Sequence, residues 1–142
     1  MRVEPRESDQ TIQVIKTSRS LHFMIVMSSE KFNVREIASK LQTYSPFDVA
    51  ELDGEYVVRV AQMRGIFPWH VHAKDEFFLT LKGGLTVETE TSRTILDQGE
   101  CTTVRAGLKH RPSSEGDAIV LLVEHKIIRT SKADFPEVKD KL

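Results

Sequence analysis

The stretch that decides the fold is Pro68-Trp69-His70-Val71-His72-Ala73-Lys74-Asp75-Glu76-Phe77-Phe78-Leu79-Thr80-Leu81-Lys82-Gly83-Gly84. His70 and His72 stand at positions i and i+2. On extended backbone these point to one face, so two imidazoles can reach one point in space. Ala73-Lys74-Asp75 is short enough to be a turn. It lets the Glu76 carboxylate return over the same point from the next strand. By alternation Phe78 and Thr80 share the face of Glu76 and line the interior. His110 joins from a separate strand, after Gly107-Leu108-Lys109. Imidazoles combined with a carboxylate suit a transition metal such as Fe, Mn, Ni or Zn, and not Ca, which wants oxygen. Four protein ligands on an octahedral ion leave positions open, as in catalytic or ligand-binding sites. The expected metal ligands are therefore His70, His72, Glu76 and His110. Glu76 is the one carboxylate placed with the cluster, and no separate general base is evident.

Outward from this stretch the period of two persists. Val49 and Leu52 lead into Asp53-Gly54, a two-residue hairpin signal. Tyr56–Met63, Phe77–Leu81, Leu85–Thr89, Arg93–Leu96, Cys101–Val104 and Ala118–Val123 read as strands, the last apolar enough to be buried on both faces. Between them lie the turns Lys82-Gly83-Gly84, Asp97-Gln98-Gly99 and Arg105-Ala106-Gly107, and a polar loop over Ser113–Asp117. Many short strands with regular turns and no helices between them mean a sandwich or barrel. One helix is expected before them, over 33–43. Asn33 is its N-cap and Glu36 sits at the capping-box position. Val34, Ile37, Ala38 and Leu41 form an apolar stripe, and Ser45-Pro46 ends the helix. Residues 1–27 read as an N-terminal extension or as added edge strands. The barrel with its leading helix spans 28–130, and 131–142 is a charged tail.

The chain has 142 residues, 39% hydrophobic and 29% charged, with a formal net charge of -1. That balance fits one soluble globular domain and gives no basic excess to attract nucleic acid or an anionic membrane. No apolar run approaches the length of a membrane span. The single cysteine, Cys101, excludes an intramolecular disulfide and a Cys-rich zinc site, which suits a reducing cytoplasm. Cys101 is expected to be buried as a small hydrophobe. Trp69, between two inward positions, should point out of the barrel. Arg64, Lys109 and Arg111 flank the metal motifs as solvated charges or holders of an anionic substrate. His22 and His125 read as structural.

Residues 65–83 resemble the first cupin motif: His70, x, His72, three residues, Glu76, six residues, Gly83. After residues 84–98 the second motif runs from Gly99 through Gly107 to His110. Arg105 replaces the proline, Ser114 the asparagine, and the Gly65–His70 spacing is one residue short. All four metal positions remain. The resemblance covers roughly Phe47–Glu124 and is nearest to small single-domain cupins of the mannose-6-phosphate isomerase-like kind. It implies an all-β double-stranded β-helix, a jelly-roll barrel with one divalent metal ion in its mouth. The fold does not choose the reaction. The expected function is binding or conversion of a small polar molecule, such as a sugar phosphate, keto acid or enol, by a metal-dependent isomerase or dioxygenase. The alternative is a non-catalytic binding or sensing module. Exposed barrel edges further predict a homodimer.

Overall fold

The structure is a computed structural model that describes residues 31–128. The extension or edge strands expected over 1–27, His22, and the tail expected over 131–142 lie outside the described residues. The elements in chain order are α1 (Val34–Ala38), β1 (Phe47–Leu52), β2 (Tyr56–Ile66), β3 (Glu76–Lys82), β4 (Leu85–Thr89), β5 (Arg93–Leu96), β6 (Cys101–Val104) and β7 (His110–His125), followed by a 3₁₀ turn over Lys126–Ile128. The strands are antiparallel and ordered β1-β2-β7-β3-β6, with β4 pairing both β5 and β7. This is the expected jelly-roll. No helix among the described residues is long and apolar enough to cross a membrane.

β7 organises the barrel because both of its edges are used. β2 runs along one edge from Tyr56–His125 to Ile66–Ser113. On the other edge β4 takes residues 110–113 and β3 takes 119–124. Ser113–Asp117, expected as a loop, instead lies within this strand. The register shifts between Met63 and Gly65, which pair with Ala118 and Ser114. The polar residues Glu115, Gly116 and Asp117 are thereby pushed out to solvent as a bulge. Ser114 anchors the bulge by donating its hydroxyl toward the carbonyls of Gly84 (2.7 Å) and Gly116 (2.9 Å). The β3–β4 turn crosses here at Gly83, whose φ is +77°. A Cβ there would lie 2.9 Å from the Asp117 carbonyl oxygen, so backbone conformation and space both require glycine.

The inner face carries the main core: Ala61, Met63, Phe67, Phe78, Leu85, Val87, Leu96, Val104, Ala118, Val120 and Leu122, closed by Tyr44. A second cluster on the outer face packs Ile37 and Ala38 of α1 against Val60 and Ile119. Ala118–Val123 therefore has cover on both sides, although Leu121 and Val123 are only half-buried. Asn33 caps α1, its side chain accepting the Glu36 N–H at 3.1 Å. The helix spans 34–38, shorter than the expected 33–43. The N–H groups of Lys40 and Leu41 bond three residues back to Ile37 and Ala38, which tightens the chain out of the α-helix. Tyr44 then adopts φ 56° and donates its N–H to Gln62 of β2, drawing the segment onto the sheet. Its buried hydroxyl donates to the Gly65 carbonyl at 2.7 Å. Cys101, expected inside, is exposed, because Val104 is the inward residue of β6 and Cys101 faces solvent with Thr103.

Candidate metal centre

The segment after β2 runs beside the start of β7. Phe67 N–H reaches the Pro112 carbonyl, and Gly107 N–H reaches the His72 carbonyl. His70 and His110 exchange both backbone hydrogen bonds, at 3.0 and 2.9 Å. Two histidines distant in sequence thus become direct cross-strand neighbours, with ring centroids 4.3 Å apart. His72 lies 4.8 Å from His70 and 5.4 Å from His110, ring to ring. The turn carrying Glu76 back is pinned by Asp75, which accepts the Ala106 N–H at 2.8 Å and the Arg105 guanidinium at 3.0 Å. Arg105, the residue that departs from the motif's proline, therefore helps hold the two motifs together. These bonds keep the exposed Asp75 carboxyl below its usual range.

The ligand atoms of His70, His72, Glu76 and His110 all lie within 4.8 Å of one another, and the last three residues are buried. His70 Nδ1 is 2.7 Å from the Pro68 carbonyl and His110 Nδ1 is 2.8 Å from the Leu108 carbonyl. A carbonyl only accepts, so each Nδ1 carries a proton, and in the neutral ring Nε2 presents its lone pair. His110 Nε2 lies 3.1 Å from Glu76 Oε2. His72 Nε2 is also 3.1 Å from Oε2 and buried, without an aligned hydrogen bond. Three ring nitrogens and a carboxylate oxygen converge on one small space, the arrangement that surrounds a cation. The donor set fits a metal ion, with the carbonyls of Pro68 and Leu108 fixing ring tautomers as outer partners of metal-bound histidines do. Burial pushes the His70 imidazolium down to about 4, with the nearby His110 adding to the shift. Burial opposes ionisation of Glu76, but the His110 and His72 rings outweigh it and bring the carboxyl to about 2. Neutral imidazole and ionised carboxylate are the states that bind metals.

The cavity beside this cluster is about 30 Å³ and is walled by Tyr44, Pro46, Met63, Phe67, Phe78, Pro112 and Leu122, with His70, Glu76 and Glu124 as its polar residues. Phe78 and Thr80 are inward and buried, as alternation requires. Glu76 is the one carboxylate of the cluster, as expected, and Glu124, which the sequence reading missed, stands beside it in the cavity wall. It pairs with Glu76 across β3 and β7 and is 2% exposed. Arg59 Nη1 donates to Glu124 Oε1 at 3.0 Å, and Arg59 Nε donates to Asp48 at 2.8 Å. Glu124 Oε2 has no hydrogen-bond partner among the described residues. Burial, then the charge of Glu76, raises the Glu124 carboxyl to about 8 against the pull of Arg59. Arg64, Lys109 and Arg111 do not line the cavity. Arg64 is exposed near Asp117, Lys109 is exposed, and Arg111 binds Glu88 and covers Trp69 at 4.7 Å. His125 meets Tyr56 edge-on at the end of β7, away from the cluster.

A small antiparallel barrel with an imidazole–carboxylate cluster at one end defines a class of jelly-roll proteins able to hold a metal ion. Residues 56–125 match the family model described as "Cupin domain", and the chain is a small cupin-type protein. Among solved structures, it is 27% identical to a cupin-2 domain containing protein from Shewanella frigidimarina, covering 67% of this chain and 94% of that one at a TM-score of 0.63. A protein from Neisseria meningitidis is 21% identical, with 68% and 100% covered and a TM-score of 0.61. Hydroquinone 1,2-dioxygenase from Sphingomonas sp. TTNP3, with 4-hydroxybenzoate bound, is 22% identical, with 66% and 72% covered and a TM-score of 0.61. No curated protein matches the sequence.

Proposed function

We propose that His70, His72, Glu76 and His110 hold one divalent transition metal ion of the Fe, Mn, Ni or Zn kind, and that the protein binds or converts a small polar molecule beside it. The observation that carries this reading is the convergence of three imidazoles on one buried carboxylate, with His72 Nε2 making no aligned hydrogen bond. A bound ion would supply Lewis acidity to an oxygen atom at its open positions. The chain's own residues do the rest. Pro68 and Leu108 hold two rings in the Nε2-presenting tautomer. Phe67, Phe78 and Leu122 exclude bulk water and strengthen each local charge interaction. Glu124 offers a second carboxyl within the same cavity. An isomerase or dioxygenase acting on a small keto acid or enol fits this equipment. The fold shared with hydroquinone 1,2-dioxygenase adds weight to the oxygenase branch.

Elemental analysis of the purified protein tests the reading. One transition metal per chain is expected in wild type and little in His72→Ala. Absence of metal from wild type after growth and dialysis with Fe, Mn, Ni or Zn would refute it. A sensing role is the second reading. It is favoured by a cavity of about 30 Å³, small for a whole sugar derivative, and predicts ligand binding without turnover. We also propose that the chain pairs as a homodimer in a reducing cytoplasm. Light scattering should return twice the 16.2 kDa chain mass.

A further inference from the structure

Two of the four clustered side chains stand on strands and two do not. Glu76 opens β3 and pairs with Val104 and Glu124, and His110 opens β7 and pairs with Thr89. His70 and His72 stand on residues 67–75, a strap that crosses from the end of β2 to the start of β3. One half of the strap is tied at Phe67, whose N–H reaches the Pro112 carbonyl, and at His70, bonded to His110. The other half is tied to the turn after β6, where two successive amides face the strap. Gly107 donates to the His72 carbonyl at 2.8 Å, and Ala106 donates to Asp75 Oδ1 at 2.8 Å. Arg105 adds an ion pair to Asp75 Oδ2 at 3.0 Å, the two side chains being 77% and 50% exposed. A pair so exposed must order a long side chain and is screened by salt, so it contributes little. A carboxylate on a backbone N–H orders only its own short side chain and makes a charge-assisted bond. The Ala106 bond is therefore the stronger tie.

We infer that Asp75 is a positioning residue of the metal centre: its bond to the Ala106 N–H keeps the strap closed and sets how fast a bound ion leaves. The inference rests on the metal-site reading above. An ion held by four side chains departs by losing them in turn. Lifting the strap withdraws the His70 and His72 imidazoles together, while Glu76 and His110 stay on their strands. The main core includes no residue of 73–75 or of the turn 105–108, so this end of the strap can open without unfolding the barrel. Asp75 acts on the ion through backbone, from its place between His72 and Glu76. Arg105 stands second to the Ala106 amide in the same tie.

The test follows release of Co(II) from the loaded full chain into excess EDTA, read by the visible absorption of the bound ion, beside urea unfolding of the same proteins kept in EDTA. Asp75→Ala should release Co(II) about tenfold faster than wild type from the same starting stoichiometry, as loss of an outer partner of a metal site does. Its urea midpoint without metal should match that of wild type. Asp75→Asn keeps an oxygen for the Ala106 N–H, and Arg105→Gln leaves the carboxylate in place, so both should release Co(II) within about threefold of the wild-type rate. If Asp75→Ala does not fold, Asp75→Glu replaces it, since the extra methylene carries the oxygens off the amide and should speed release in the same way. A wild-type release rate in Asp75→Ala or Asp75→Glu would overturn the inference. So would a rate that rises only in step with a falling urea midpoint, which marks a structural role, or an Asp75→Asn as fast as Asp75→Ala. Failure of wild type to take up Co(II) would bring down the metal reading, and this inference with it.

Discussion

Glu76 and Glu124 face each other across β3 and β7, both buried in the same barrel, and their surroundings drive them in opposite directions. Glu76 lies in a corner of imidazoles, which hold it ionised, at about 2. Glu124 is buried beside Phe78 and Leu122 with the Arg59 guanidinium as its partner, and burial pushes it up to about 8. Identical side chains on adjoining strands thus become an anion ready to meet a cation and a carboxyl able to carry a proton near neutrality. Environment assigns the role, as it does wherever two carboxyls share one site.

The strongest way to break the distinction is through the wall both regions share. Phe78 lines the cavity, is 1% exposed and sits 6.3 Å from the His110 ring. Phe78→Ala should destabilise the protein by about 3–5 kcal/mol in thermal or urea unfolding, with or without chelator. His72→Ala acts on the imidazole corner alone. It should cost about 3 kcal/mol when free metal is about a hundred times its dissociation constant, and the difference from wild type should shrink once chelator is added to both. A chelated wild type unfolded at room temperature would show that the apolar core cannot stand without the ion.

The pH dependence of the chelated protein sharpens the contrast. A carboxyl raised in the folded state binds a proton that the unfolded chain releases. The Glu124 contribution to stability is therefore full below about 4.5 and is lost as pH rises toward 8. His70, lowered to about 4, acts oppositely, since its folded form refuses a proton that the unfolded chain accepts below about 6.5. Stability should rise from pH 4 toward 6.5 through His70, against the falling Glu124 contribution. From 6.5 to 8 it should fall by at most about 1.4 kcal/mol per pH unit. Glu124→Gln should flatten that second limb in urea midpoints measured across the range. The smallest effect belongs outside both regions. Arg111→Ala removes the guanidinium over Trp69 and the bonds to Glu88. It should cost about 1 kcal/mol or less, shift the fluorescence of the single tryptophan, and leave metal content and pH profile unchanged.

The imidazole corner was legible in the sequence because three of its residues lie within one short stretch whose geometry is local: an i, i+2 pair and a tight return. Only His110 required a long-range pairing, and the spacing of the second motif supplied it. Glu124 was hidden by its company, an apolar run in which one acidic residue at the end reads as the strand's exit to solvent. Its signal was parity. Ala118, Val120 and Leu122 are inward, so Glu124 is inward as well, and Arg59 shares its face with Val57, Ala61 and Met63 on the neighbouring strand. A carboxylate and a guanidinium at inward positions of paired strands call for each other. The overlong helix and the missed continuity of β7 have another source. Propensity sees neither the pull of Tyr44 into the sheet nor a bulge that lets polar residues leave a strand without ending it.

The reciprocal backbone bonds between His70 and His110 have a consequence for exchange with solvent. The two amide protons are locked in a small ring that closes directly beneath the cluster. They can trade with deuterium only when the segment around His70 lifts away from β7, a local opening that also separates two of the imidazoles. These two amides are therefore built-in clocks for the mouth of the barrel. Their protection factors give the free energy of parting the cluster, independently of global unfolding and of any bound molecule's spectrum.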